Sequence, residues 1–318
     1  MLLEIRNLSV EFRGIRGTVQ ALKGICLSIA EGEILGIVGE SGSGKSVTAL
    51  SILGLLGKNA AVTGGEVLYK GRNLLALDKK AWTSIRGKEI GMVFQEPMTA
   101  LHPTMKVGRQ LAEVIRRHRG VSRKEARRLA VASLEEVHIR DPQSVAEKYP
   151  FELSGGMRQR VVIALAMSSP PSLLIADEPT TALDVTTQHE ILKLMKELSE
   201  KRGTAILFIT HDLGVVAELC RRVAVMYAGE VVETGPTAEV LRSPVHPYTQ
   251  ALLHALPDLA DPHEPLKAIP GEAPDPRARP AGCIFAPRCQ MRITRCQREK
   301  PSLEPVSQNR HTACWLAR

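Results

Sequence analysis

Gly39-Glu40-Ser41-Gly42-Ser43-Gly44-Lys45-Ser46 decides the reading of the chain. It has the form G-x-x-x-x-G-K-S. The apolar run Ile34-Leu35-Gly36-Ile37-Val38 before it reads as a buried strand, and Val47 to Leu56 after it as a helix. Strand, glycine loop and helix is the setting in which this pattern cradles phosphate. Glycines let the backbone bend so that successive N–H groups, here from Gly39 and from Ser41 to Val47, face phosphate oxygens. The helix start adds unpaired N–H groups and a positive dipole end. Lys45 can reach the β- and γ-phosphates, and the Ser46 hydroxyl can ligate Mg2+. A glycine-rich turn with a chance Lys-Ser pair would leave the flanking strand and helix unexplained. The stretch predicts binding of a nucleoside triphosphate.

Moving outward, Leu173-Leu174-Ile175-Ala176-Asp177 reads as a strand that delivers Asp177 to a sheet edge, where a carboxylate can hold Mg2+. Glu178, aimed differently, can poise a water for attack. Gln95 follows the strand-like run Ile90 to Phe94 and can reach metal and water. His211 follows the strand 205–209 and can donate to the γ-phosphate. Leu153-Ser154-Gly155-Gly156-Met157-Arg158-Gln159-Arg160 places a serine and two glycines at a helix start, an anion site by construction. A capped helix, a surface glutamine and a structural histidine are each plausible singly and poor jointly.

The flanks supply the organisation. Residues 2–12, 21–29 and 66–69 predict a small antiparallel sheet, and 223–226 and 230–234 two further strands joined by Ala228-Gly229. Residues 106–149 carry apolar positions at helical spacing among many arginines and predict a helical insert. Asp184 can cap a following helix that Gly203 ends. The proline-dense stretch 257–280 reads as an irregular linker.

The chain has 318 residues, 44% apolar and 24% charged, as ordinary globular proteins do. No apolar run approaches the ~18 residues that span a bilayer, and no signal peptide is visible. A cytoplasmic location is expected, with any membrane work done through partners. The net charge is +8, with nine Lys/Arg against two Asp/Glu in 106–130 and nine against four in 271–318. A solvated helix face is the preferred reading of 106–130. At 3% aromatic the chain lacks the residues for a base-stacking surface. Of six cysteines, Cys26 and Cys220 lie in apolar surroundings and read as core. Cys283, Cys289, Cys296 and Cys314, spaced C-x5-C-x6-C-x17-C, suit an iron–sulfur cluster or zinc, with free thiols as the alternative. The close cysteine pairs usual for structural zinc are absent, which favours the cluster. Arg288, Arg292 and Arg295 lie between these ligands and would offset thiolate charge.

The order P-loop, Gln95, Leu153-Ser154-Gly155-Gly156, Asp177-Glu178, Ala182-Leu183-Asp184 and His211 resembles the nucleotide-binding subunit of an ABC transporter over residues 1–256. The resemblance implies an α/β P-loop NTPase (RecA-like) fold. An antiparallel β subdomain, a helical subdomain at about 100–160 and a short C-terminal cysteine-bearing extension within 257–318 would be added to it. It also implies that Phe12 stacks on adenine, that Glu178 is the general base and that His211 senses the γ-phosphate. Asp184 would lie at a dimer seam, with Ser154 and Gly156 facing ATP held by a second ATPase subunit, identical or different. Met157 departs from the usual glutamine. That departure, Gln95-Glu96-Pro97-Met98-Thr99-Ala100-Leu101-His102-Pro103, His246-Pro247-Tyr248-Thr249 and the cysteine tail are similar to dipeptide/oligopeptide importer ATPases, some of which carry a 4Fe-4S cluster. The implied partners are two transmembrane permease subunits and an extracytoplasmic substrate-binding protein, with no nucleic acid. The implied place is the cytoplasmic face of the inner membrane. Import of nickel or another solute is the alternative. A soluble ABC ATPase acting on nucleic acid or ribosomes, and a redox protein prompted by the cysteines, are more distant ones.

Overall fold

The computed structural model describes residues 1–15, 17–181, 183–255 and 269–317. Ala182 and residues 257–268 of the expected linker lie outside the described residues. The strands are β1 (Leu3–Gly14), β2 (Gly17–Ile29), β3 (Ile34–Val38), β4 (Ala60–Tyr69), β5 (Arg72–Asn73), β6 (Ile90–Val93), β7 (Leu173–Asp177), β8 (Ala205–Thr210), β9 (Arg222–Tyr227), β10 (Glu230–Pro236), β11 (Glu304–Ser307) and β12 (Arg310–Thr312). The helices are α1 (Lys45–Ile52), α2 (Lys79–Ile85), α3 (Pro97–Ala100), α4 (Val107–Arg119), α5 (Arg123–Glu136), α6 (Pro142–Ala146), α7 (Gly155–Met167), α8 (Val185–Arg202), α9 (Leu213–Leu219), α10 (Thr237–Arg242), α11 (Pro247–His254) and α12 (Thr294–Arg298).

The chain forms two compact units. The first takes residues 1–29 and 34–75 and the chain from Thr210 onward. In it β2, β1, β4 and β5 make an antiparallel sheet in that order. β1 alternates as a half-buried strand must: Leu3, Ile5, Leu8 and Val10 are buried, Glu4 and Arg6 are not. Its pairing register shifts between Ile5 and Leu8, beside Asn7 at φ 49°. The same unit holds β11, β12, β10, β9 and β3 as neighbours, β3 running parallel to β9. All five residues of β3 are buried, the signature of a parallel strand covered on both faces. Helix α1 ends at Ile52, earlier than the sequence pattern suggests, with Gly54 at φ 59° just beyond it.

The second unit takes residues 30–33 and 76–209. Its parallel strands β8, β7 and β6 neighbour one another in that order. The expected helical insert is α4 to α6. Its arginines are largely solvated, as in the Arg109–Glu113 and Arg128–Glu125 pairs on exposed helix faces. Helix α8 starts on the Asp184 side chain, which accepts from the Thr187 N–H, and stops at Gly203 in the left-handed region at φ 65°.

Candidate functional site

In the first unit β3 runs into the glycine loop, and α1 begins at Lys45. Gly42 and Gly44 take φ 76° and 98°, values that favour glycine. A Cβ on Gly39 would lie 2.1 Å from the Met226 carbonyl oxygen, and one on Gly44 2.6 Å from Leu22 Cδ2. Lys45 is buried, and its Nζ donates to the carbonyls of Gly39 at 2.7 Å and Glu40 at 3.0 Å. The Ser43 hydroxyl is buried without a hydrogen-bond partner among the described residues. A buried orphan hydroxyl in a glycine loop at a helix start fits a phosphate-bearing ligand. Ser46 is exposed at the helix start.

One support of this loop escaped sequence reasoning. Ala228 and Gly229, at φ 44° and 82°, turn β9 into β10, and the Gly229 N–H donates to the Ser43 carbonyl at 2.9 Å. The Gly229 carbonyl accepts from Lys23 N–H at 2.9 Å. The adjacent left-handed residues signal a tight hairpin in the sequence, but not what its tip touches. In the same unit Phe12 is half-buried on β1 and His211 is exposed just after β8.

In the second unit Asp177 ends β7 and is buried. Glu178 follows at φ 47°, a conformation that costs a non-glycine residue about 1–2 kcal/mol. Its Oε2 accepts from Thr181 Oγ1 at 2.9 Å and from Gln95 Nε2 at 3.3 Å, and its N–H donates to Ile209 O at 2.9 Å. Thr181 is the partner that sequence reasoning missed. Ser154 caps α7, accepting from the Met157 N–H at 3.3 Å, with Gly155 exposed beside it. A Cβ on Gly156 would lie 2.7 Å from Thr187 Cγ2, so any larger residue would force a shift where the starts of α7 and α8 meet. Asp184 accepts from Thr187 twice, at 3.0 Å and 2.7 Å. The Thr187 backbone and hydroxyl bonds hold the Asp184 carboxyl below its usual range.

Cys220 is core, its thiol pushed up to about 12 by burial. Cys26 is instead exposed, on the edge strand β2, because the side of β2 that carries it faces outward. Arg288 and Arg295 do not attend the thiols. Arg288 pairs with Glu40, while Arg295 pairs with Glu299 and stacks on Trp315 at 3.6 Å. Arg292 does act on Cys289, lowering its thiol's pKa against the larger effect of burial. Among the described residues no three His, Cys, Asp or Glu side chains converge closely enough for a single metal ion, so the expected metal site is not preformed. Even so, the tail cysteines share one neighbourhood. Burial raises Cys283 to about 11, and Cys296 and Cys314 add to the rise. Burial likewise raises Cys314, to which Cys289 and Cys296 contribute. Backbone N–H groups of Phe285 and Ala286 favour the Cys283 thiolate, that of Met291 the Cys289 thiolate, and those of Leu316 and Ala317 the Cys314 thiolate.

The glycine loop, the paired acids and the capped glycine helix start define a P-loop ATPase cassette, and the comparisons with known proteins name its family. The ABC transporter family profile matches residues 22–181, and the oligopeptide/dipeptide transporter C-terminal region profile matches 232–296. The chain belongs to the ABC transporter family, among its peptide-transporter ATP-binding proteins. It is 50% identical over 317 residues to a probable peptide ABC transporter ATP-binding protein, y4tR, of Sinorhizobium fredii, covering 99% of this chain and 95% of that one. It is 49% identical to the oligopeptide transport ATP-binding protein OppD of Bacillus subtilis, covering 99% and 88%. The solved dimeric post-hydrolysis cassette MJ0796, bound to ADP and Pi, is similar at TM-score 0.66 and 32% identity, covering 74% of this chain and 98% of that one.

Proposed function

We propose that the chain is the ATP-hydrolysing motor of a di- or oligopeptide importer. The order of two family matches on one chain carries this reading: a transporter cassette, then the C-terminal region of peptide transporters. Lys45 and the amides of the loop bind the phosphates, and Phe12 takes the adenine. As the family resemblance implies, Ser46, Asp177 and the Gln95 side-chain carbonyl would hold Mg2+, which when bound would neutralise charge on the phosphates. Glu178 accepts the proton of the attacking water. Its strained backbone and the bonds from Thr181 and Gln95 support that role, since strain of this kind is retained at sites that need a fixed geometry. His211 donates to the γ-phosphate. Ser154, Gly155 and Gly156 present their helix end to the ATP of a second ATPase subunit, with Asp184 at the seam.

No helix of the described residues is long and apolar enough to cross a membrane. Two transmembrane permease subunits supply the path, and an extracytoplasmic binding protein delivers peptide. The chain works at the cytoplasmic face of the membrane. Cys283, Cys289, Cys296 and Cys314 would hold an iron–sulfur cluster. Their shared neighbourhood supports this: Cys283 feels Cys296 and Cys314, and Cys314 feels Cys289 and Cys296. Iron and sulfide in anaerobically purified protein are the expected result; stoichiometric zinc without iron removes the cluster.

Glu178→Gln tests the motor. It should keep ATP binding and lose roughly 10²–10⁴-fold in turnover, with peptide uptake by the assembled transporter falling in parallel. Near-normal turnover removes Glu178 from the role of base. Intact peptide uptake by cells lacking the chain removes the importer reading.

A further inference from the structure

The loop that takes the phosphates carries a carboxylate of its own. Glu40 directly follows Gly39, and a negative charge there opposes the binding of a polyanion unless it is compensated. The compensation comes from the far end of the chain. Arg288 Nη1 donates to Glu40 Oε2 at 2.8 Å, and Nη2 donates to Oε1 at 3.2 Å, a two-pronged pair with both carboxylate oxygens engaged. The Arg288 side chain is only 6% exposed. Its other bonds fix it from several sides: Nε donates to Pro270 O at 2.9 Å, Nη2 to Ile269 O at 3.3 Å and Nη1 to Tyr227 Oη at 3.3 Å. Glu40 is held through its backbone as well. Its N–H donates to Tyr248 Oη at 3.0 Å, and its carbonyl is one of the two that receive Lys45 Nζ. Tyr227, Tyr248 and Phe285 pack with ring centroids 4.5 to 5.4 Å apart and join the two segments. Arg288 sits immediately before Cys289, whose N–H donates to Phe285 O at 3.0 Å.

We propose that Arg288 is a positioning and charge-compensating residue for nucleotide binding. It neutralises Glu40, fixes the entry of the P-loop, and makes nucleotide affinity depend on the folded cysteine tail. The inference rests on the P-loop reading given above. Arginine suits this task better than lysine, because a rigid fork holds both carboxylate oxygens at once.

The test uses the full chain, a fluorescent ATP analogue with Mg2+, and thermal melts run alongside. Arg288→Met should weaken binding about tenfold, equivalent to about 1.4 kcal/mol. The deficit should shrink as salt rises, since screening weakens a repulsion and leaves a packing defect unchanged. Glu40→Gln should bind within about threefold of the parent or tighter, and Glu40→Gln with Arg288→Met should restore most of the loss. Wild-type affinity in folded Arg288→Met overturns the proposal, as does a double variant as weak as the single one. If Arg288→Met does not fold, Glu40→Gln decides: a loss of about tenfold there makes the carboxylate itself a nucleotide contact and overturns the proposal. Lys45→Ala separates the two readings. If it binds normally, the P-loop reading falls and this one with it; if it loses binding while Arg288→Met does not, only this one falls.

Discussion

Arg310→Met measures what holds the C-terminal extension in its unit. Glu233 on β10 has a fully buried side chain, and Arg310 on β12 is 8% exposed. Arg310 donates to Glu233 Oε1 from Nε at 3.1 Å and from Nη2 at 2.6 Å, and also bonds the Ser243 carbonyl. Removing the cation leaves a carboxylate that water cannot reach, and breaking such a buried pair costs about 3–5 kcal/mol. Two amides still serve the carboxylate, Val245 N–H at 3.0 Å and His246 N–H at 3.0 Å. The loss should therefore lie near the lower end, about 3 kcal/mol. For a unit of this size each kcal/mol moves the melting temperature by about 2–4 °C, so a fall on the order of 6–12 °C is expected by calorimetry. Adding Glu233→Gln should recover much of it, since the unpaired charge is then gone. A single-variant loss below about 1 kcal/mol, or a double variant no better than the single, would refute the reasoning.

Two further predictions concern the same unit. His246 is buried, its Nδ1 accepting the Tyr248 N–H at 3.0 Å, and burial pushes it down to about 3 despite an opposing bond to the Ala313 backbone. The folded imidazole is thus neutral where the unfolded one takes a proton. This contribution is fully present above pH 6.5 and is lost as pH falls toward 3, by up to about 1.4 kcal/mol per pH unit. His246→Asn keeps an acceptor for the helix start and should flatten that slope in unfolding measured from pH 7 to pH 4; equal slopes in parent and variant would exclude His246 as the source. At the P-loop, Gly39→Ala drives a Cβ to within 2.1 Å of backbone, whereas Gly42→Ala meets nothing within 4 Å and bears only the strain of φ 76°. Gly39→Ala should abolish nucleotide binding, and Gly42→Ala should cost about 1–2 kcal/mol of stability; equal effects in titration and melting would contradict the clash argument.

What the sequence by itself determined was the contiguous part. Ile34 to Ser46 spells strand, loop and helix within thirteen neighbouring residues, and every element needed to read it is adjacent in the chain. The ends of α8 were equally legible, because Asp184 and Gly203 act on backbone groups within a turn or so of themselves. The expected strands and the helical insert followed from apolar periodicity, which reports the solvent-facing and buried sides of one element. It does not report which elements meet. Tertiary structure alone decided that the Gly229 hairpin tip supports Ser43 and that Arg288 reaches Glu40 across 248 positions. The same holds for Cys26, whose apolar neighbours in sequence suggested core although it lies on the outward side of β2, opposite the buried Ile25 and Leu27. The arginines between the cysteines looked like counter-charges to the thiols, yet two of them found carboxylates elsewhere. Local spacing encodes backbone geometry and facing; long-range charge pairing is settled only when packing excludes water and leaves each buried charge the partner within its reach.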